Sequence, residues 1–319
     1  MSTVKATNFQ NASSATANMV TDASGNVTFG GTAAMSSSFL RNRIINGNIA
    51  VDQRNAGATQ TFTAAAALAY SVDRWYGYCT GANVTGARVT GVTANQYRYR
   101  FAGAASVTAI GFGHRIEALN SADLAETTAT LSVVLANTLL TTVTWTAYYA
   151  NTTDTFGSLA SPTVTSIATG TFTVTSTATQ YSVNISIPAA ATTGIQILFT
   201  VGAQIGGTWT IGNVQLEPGT IATPFERQLY NAQLAQCQRY YERHAAYVST
   251  SAWTTIINGV FPKVTKRTSP TISVADISAG SGAAFTWQQT ANELGNGAAF
   301  QTTANSGFAA ATVIFSAEL

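Results

Sequence analysis

Two groups of carboxylates in this 319-residue sequence could do hydrolytic work: Asp52 with Asp73, and Glu117 with Asp123 and Glu126. Glycoside hydrolysis needs two carboxyl groups facing one cleft, one as acid and the other as base or nucleophile. Asp52 and Asp73, however, stand beside Arg54 and Arg74, and structural ion pairs explain such neighbours equally well. The second group lies in Arg115 to Glu126, a stretch that reads as a solvated loop or one helical turn. His114, in Gly111-Phe112-Gly113-His114-Arg115, could be a general base, but no recognisable nucleophile is near it. A loop histidine hydrogen-bonded locally is the expectation there. The sequence has no phosphate-cradling loop, dinucleotide fingerprint, zinc-binding helix motif or nucleophile elbow. Two histidines and the two cysteines Cys79 and Cys237 are too few for a metal site or a disulfide framework, and both thiols are expected to be buried. No catalytic residue, cofactor or metal is therefore expected.

Sugar binding without cleavage asks for less: a flat apolar ring face with a polar edge, and no special pKa. Trp145 shares a strand parity with Val143 and Tyr149 and is expected in the core, whereas Tyr148 points the other way. Trp287, followed by Gln288 and flanked by glycine-rich turns, is a second candidate. Tyr76 and Tyr78, with Tyr97 and Tyr99, could form a further platform, although alternating aromatics also make ordinary cross-strand pairs. The candidate ligand-binding residues are thus Tyr148, Trp287, Gln288, Tyr76 and Tyr78.

These side chains must be positioned by strands. Charged residues make up only 9% of the chain, far below the usual share of about 25%, and Thr, Ala, Ser, Gly and Asn fill the difference. Disorder combines low hydrophobicity with high net charge, but here 46% of residues are apolar and the net charge is +2. The basic residues are scattered and give no stripe for phosphates, so no nucleic-acid partner is expected. The N-terminus lacks the blocks of a signal peptide and no apolar run is long enough to span a membrane. Synthesis in a cytosol, without membrane insertion, follows as the expectation.

Parity sets mark the strands: Tyr181, Val183, Ile185 and Ile187, then Ile195, Ile197, Phe199 and Val201, with turn chemistry between them at Asn151 to Asp154, Ser161-Pro162 and Pro188-Ala189. Trp209 and Ile211 have one parity, Val214 and Leu216 the other, which predicts a bulge near Gly212. After that strand, Thr223, Pro224 and Glu226 read as a capping box with proline at the first helical position. Tyr230, Leu234, Cys237 and Tyr241 then fall on one helical face, and the helix is expected to end near His244. Beyond it the predicted strands are Ile256 to Phe261, Thr271 to Ile277, Ala284 to Gln289 and Ala309 to Glu318. At the other end, residues 1–39 hold two short strand-like pieces around a turn at Asp22 to Gly25, and too few large apolar groups to offset their ordering entropy.

Several short motifs recur in order: Asn46-Gly47-Asn48 with Asp52-Gln53-Arg54, Asp73-Arg74-Trp75, Val214-Gln215-Leu216-Glu217, Thr223-Pro224-Phe225-Glu226-Arg227 and Cys237-Gln238-Arg239-Tyr240-Tyr241. This set resembles phage tail-fibre and related virion fibre proteins, over most of residues 40–319. The resemblance implies a carbohydrate-binding-module-like jelly roll, a short helix and a small β domain, usually assembled as a trimer on the exterior of a virion. It carries over no catalytic residue.

The expected fold is all-β: an antiparallel jelly-roll sandwich plus a smaller C-terminal β domain, joined by one short α-helix. The expected division is an attachment arm over 1–39 that binds other virion proteins, the sandwich over 40–222, the helix over 223–244, and a trimerising or receptor-facing β domain over 245–319. A small C-terminal domain padded with Ala and Gly would gain apolar contact from copies of itself. The expected function is a tail fibre or receptor-binding protein that mediates host adsorption through surface glycan. A head fibre or capsid-decorating protein is the alternative, and a polysaccharide depolymerase the lesser one.

Overall fold

Alternation of apolar and small polar residues, with few charges to satisfy, folds this chain into strands, some with one face buried and others, such as Ala109–Ile116 and Thr128–Asn137, buried on both. The computed structural model describes residues 6–10, 12–13, 19–24, 27–29, 41–91, 97–250, 257–279, 285–290, 297–302 and 307–319. Residues 1–41 and 42–319 form two units. In the first, β1 (Asn8–Phe9), β2 (Met19–Thr21) and β3 (Val27–Phe29) make an antiparallel three-stranded sheet. The expected turn between β2 and β3 is opened by Asp22, whose Oδ1 accepts the Ser24 N–H at 2.9 Å. Most of the expected arm lies outside the described residues.

The second unit begins with twelve strands: β4 (Gln60–Phe62), β5 (Ala69–Tyr70), β6 (Trp75–Thr80), β7 (Val84–Thr90), β8 (Tyr97–Ala102), β9 (Ala109–Ile116), β10 (Thr128–Asn137), β11 (Thr142–Ala150), β12 (Val164–Thr173), β13 (Thr179–Ser186), β14 (Ile195–Val201) and β15 (Thr208–Pro218). They form two six-stranded sheets, β13-β10-β15-β8-β7-β4 and β12-β11-β14-β9-β6-β5, and every pairing within them is antiparallel. This is the jelly-roll sandwich. Stacked rings join its layers: Trp75 lies on Phe112 at 4.8 Å and Phe112 on Tyr99 at 4.9 Å, crossing from the second sheet to the first. The expected bulge is present in β15. Ser132 pairs with Gln215 but Val134 with Gly212, so Asn213 and Val214 oppose Val133 alone, with Asn213 at φ 47°. That extra residue is why Ile211 and Val214 are both buried.

The helix departs from expectation. α1 runs over Tyr230–Gln238, and Leu229, extended and making no side-chain cap bond, precedes it. The capping-box residues serve another purpose. Thr223 donates its N–H and hydroxyl to Glu217 Oε1 and Oε2 at 2.9 and 2.6 Å, the Glu226 N–H goes to Gln215 Oε1, and Glu226 Oε2 accepts the Asn42 N–H. A buried carboxylate on β15 outcompetes a helix start for these groups. The predicted stripe fails with it: Tyr230 is exposed, and the buried pair is Gln233 and Cys237, four residues apart.

Nor does the helix reach His244. The chain turns at Tyr240 and enters β16 (Tyr241–Thr250), followed by β17 (Ile257–Val260), β18 (Thr271–Ala279), β19 (Phe285–Thr290), β20 (Gly297–Thr302) and β21 (Gly307–Ser316). Four of these correspond to the predicted strands within about two residues at each end; β16 and β20 were not expected. They make two three-stranded sheets, β16-β21-β18 and β17-β20-β19, with a small core of Ala246, Ile272, Val313 and Phe315.

Candidate functional site

The outward face of the sheet β12-β11-β14-β9-β6-β5 brings three of the predicted residues together. On β6, Tyr76 and Tyr78 alternate with the buried Trp75, Gly77 and Cys79, so both rings leave the core side. Their cross-strand partners on β9 are Gly113 and Gly111. Each ring covers its glycine, and a Cβ at either position would come closer than 3.0 Å to the ring. The two glycines are therefore seats for the tyrosines. Two strands on, Tyr148 of β11 pairs with Gln196 of β14, which pairs with Arg115 of β9.

Burial pushes the Tyr78 hydroxyl up from its ordinary value and the neighbouring Tyr148 hydroxyl pushes it further. Tyr76 is raised by burial too, against the opposing pull of Arg115. Tyr78 and Tyr148 are half-buried, but Tyr76 is only 1% exposed, roofed by Tyr70 and by the Arg115 guanidinium 5.1 Å from its ring. Its face is closed to a ligand, so within this trio Tyr78 and Tyr148 are the accessible rings. Beside them the same face continues as an open trough of about 570 Å³ lined by Thr142, Thr144, Thr200, Ala109 and Leu140. Its walls are hydroxyls, methyls and small groups, without a charge.

Trp287 and Gln288 fall on β19, opposite Phe300 and Ala299 of β20, and their side chains lie outside the described residues.

The short motifs meet elsewhere, as a clasp between the sandwich and the C-terminal sheets. Asp73 accepts the Gln53 N–H and side-chain amide at 2.6 and 2.7 Å, and the same amide also donates to the Tyr241 carbonyl. Arg54 stacks on Tyr241 at 3.6 Å and donates to Glu318 Oε1 at 2.7 Å. Arg74, fully buried and at φ 71°, stacks on Tyr240 at 3.5 Å and pairs with the other oxygen of Glu318. Gln233 of α1 donates to Asn48, and the Asn46 side-chain amide reaches the Val51 and Asp73 carbonyls. Gly47 is needed because a Cβ there would strike the Val214 carbonyl.

Three more of the carboxylates considered for hydrolysis are spent in the same manner, and Glu126 is exposed. Asp52 accepts the N–H groups of Asn55 and Gly57, Glu117 receives Arg239 at 3.3 Å through two nitrogens, and Asp123 pairs with Arg43. Glu117, Asp123 and Glu126 sit around two 3-10 turns, Ala118–Asn120 and Ala122–Leu124. His114 is not on a loop. It faces the core from the middle of β9, edge-on to Trp75, with Nε2 3.0 Å from the Ile45 carbonyl 69 residues away. Burial, reinforced by the Arg74 charge, pushes its pKa well below the ordinary value. Cys79 and Cys237 are buried free thiols, as expected. Among the described residues no group of three or more His, Cys, Asp or Glu is placed to hold a metal ion, and no helix is long and apolar enough to cross a membrane.

No protein-family model matches the chain, and no curated protein matches it. Solved structures do. The enzymatically active domain of tailspike protein 4 from bacteriophage CBA120 is similar at 19% identity and a TM-score of 0.33, over 46% of this chain and 19% of that one. The carbohydrate-binding module TmCBM61, solved with β-1,4-galactotriose, is similar at 11% identity and a TM-score of 0.36, over 56% of this chain and 99% of the module. The C-terminal family 22 module of Clostridium thermocellum Xyn10B follows at 13% identity and a TM-score of 0.33, over 48% of this chain and 91% of the module. The sandwich assignment rests on the strand order given above.

Sequence reasoning missed the two glycine seats, Arg115 and Glu318. The seats were legible in principle, since Gly111 and Gly113 share a parity and flank the core-facing Phe112. Glu318 had no such signal, because its partners are 244 and 264 residues away.

Proposed function

We propose that this chain is a phage virion fibre or receptor-binding protein that holds host-surface glycan, without cleaving it, on the outward face of the sheet β12-β11-β14-β9-β6-β5. The observation that carries the reading is the pairing of two accessible tyrosines, Tyr78 and Tyr148, with an uncharged threonine-lined trough on one sheet face. Such a surface offers ring faces for sugar C–H groups and hydroxyls for sugar O–H groups. Non-catalytic binding is supported by four of the carboxylates considered for hydrolysis: Asp52 and Asp73 accept backbone N–H groups, and Glu117 and Asp123 pair with arginines. The virion role is supported by the ordered motifs and by their use as a clasp, the rigid joint that a fibre would need between its two β parts. Trimerisation through the C-terminal sheets and docking through residues 1–39 belong to the same reading.

Glycan-array binding and inhibition of host adsorption test it, using the whole chain and its Tyr148→Ala and Tyr78→Ala variants. Each loss should weaken binding by roughly 2- to 10-fold, the worth of one aromatic contact of about 0.5–1.5 kcal/mol, with the melting transition nearly unchanged for Tyr148→Ala. Undiminished binding by the double variant, or release of reducing sugar from a bound polysaccharide, would sink the proposal. Light scattering at micromolar concentration should show a trimer, and a monodisperse monomer would remove that part.

A further inference from the structure

A second cavity, of about 510 Å³, opens where the start of α1 meets Asn48, Ala50 and the facing ends of β7 and β8. It shares no lining residue with the tyrosine face or its trough. Its wall carries two guanidinium groups, of Arg88 and Arg227, and no carboxylate. Arg88 is already engaged: it donates to the Ala50 carbonyl at 2.6 Å, lies 3.9 Å from the Asp52 carboxylate and covers the Tyr97 ring at 4.5 Å. Arg227 is exposed and makes no hydrogen bond or ion pair with any described residue. Next to it, Gln228 is part of the same lining. Tyr230 completes the wall with a ring that is 56% exposed.

Each of these features asks for something different from an occupant. Arg227 needs a negative charge in fork geometry, and Tyr230 offers its ring to an apolar face. A simple inorganic anion meets the first demand alone, and a neutral sugar only the second. A sugar acid meets both. With a single free guanidinium in the cavity, a singly charged carboxylate matches it better than a dianionic phosphate, which would call for a second cation. We propose that this cavity is a second saccharide site, selective for a sugar residue that carries a carboxylate, of the hexuronic acid class. The inference does not depend on the tyrosine face.

Titration calorimetry on the full chain tests it with methyl glucuronide, methyl glucoside, glucose 6-phosphate and inorganic phosphate as probes. Methyl glucuronide should bind, more weakly as salt is raised, and the glucoside and inorganic phosphate should bind at least tenfold more weakly. Arg227→Ala, at an exposed position, should fold normally and lose about tenfold or more in glucuronide affinity, as expected for a charge-assisted hydrogen bond. Tyr148→Ala should leave this binding untouched, so failure of the tyrosine-face reading and failure of this one are separable. The inference is overturned if methyl glucuronide does not bind at millimolar concentration, or if Arg227→Ala binds it as well as the parent chain. It is equally overturned if inorganic phosphate or glucose 6-phosphate matches the glucuronide, which would mark a site for anions or phosphates instead.

Discussion

Removing the Glu318 carboxylate, two residues past the end of β21, should loosen the joint between the sandwich and the C-terminal sheets. Its side chain is 7% exposed and bridges Arg54, at 14%, and Arg74, at 0%. In Glu318→Ala the Arg74 guanidinium keeps only the Arg115 carbonyl and the Tyr240 ring as partners. Breaking a buried pair by deleting one partner costs about 3–5 kcal/mol, because a buried charge is left uncompensated. Arg54, stacked on both Tyr241 and Tyr70, should contribute less of that loss. Glu318→Gln keeps the shape and some hydrogen bonding and should cost clearly less than the alanine variant. Urea denaturation followed by tryptophan fluorescence measures both, since Trp75, Trp145 and Trp209 are buried in the sandwich and report on its unfolding. If Glu318→Ala lowered stability by less than about 1 kcal/mol, the scale of an exposed pair, the clasp would be no more than a surface contact and the reasoning would fail.

Gly111→Ala forces the Tyr78 ring off its seat and should destabilise by roughly 1–3 kcal/mol, the cost of overpacking, while weakening glycan binding as Tyr78→Ala does; a neutral variant with full binding would refute the seat. Two buried carboxylates should pull the pH profile in opposite directions. Burial raises Asp73 from 3.8 to about 6, so its contribution to stability is present below about 4 and is lost as pH rises through 6, and Asp73→Asn should flatten that interval. Glu242 is also pushed up by burial, but His244 and Lys266 outweigh it and bring its pKa down to about 2, so its contribution is present above about 4.5 and lost as pH falls through 2. Acid unfolding of Glu242→Gln should accordingly lose its dependence on pH in that lower range. Thr223→Ala should cost roughly 1.5–3 kcal/mol through the hydroxyl it donates to Glu217, and Leu229→Ser should add roughly 0.5–2 kcal/mol by supplying the cap that α1 lacks; a destabilised Leu229→Ser would contradict the observed helix start.

Local pattern determined much of this protein. Period-two alternation located four of the twelve sandwich strands, β11, β13, β14 and β15, the parity switch after Ile211 located the bulge at Asn213-Val214, and the outward direction of Tyr148 followed from the buried Trp145 and Ala147 beside it. These are properties of neighbours in sequence, where backbone geometry fixes which way a side chain points. The tertiary structure alone decided the rest. Thr223, Pro224 and Glu226 satisfy every local rule for a helix start, yet Glu217 and Gln215 on β15 claim their hydrogen bonds first. Tyr241 fits a helical stripe and Tyr240 lies inside the expected helix, yet Arg54 and Arg74, far away in the chain, meet them in a strand and a turn. Tyr76 has the same parity as Tyr78, yet only Tyr78 is open, because Tyr70 and Arg115 fold over its neighbour. Periodicity states which face a residue takes; what else reaches that face depends on contacts that cross between elements, from Thr223 to Glu217 at a separation of 6 residues up to Arg54 to Glu318 at 264, and no periodicity records them.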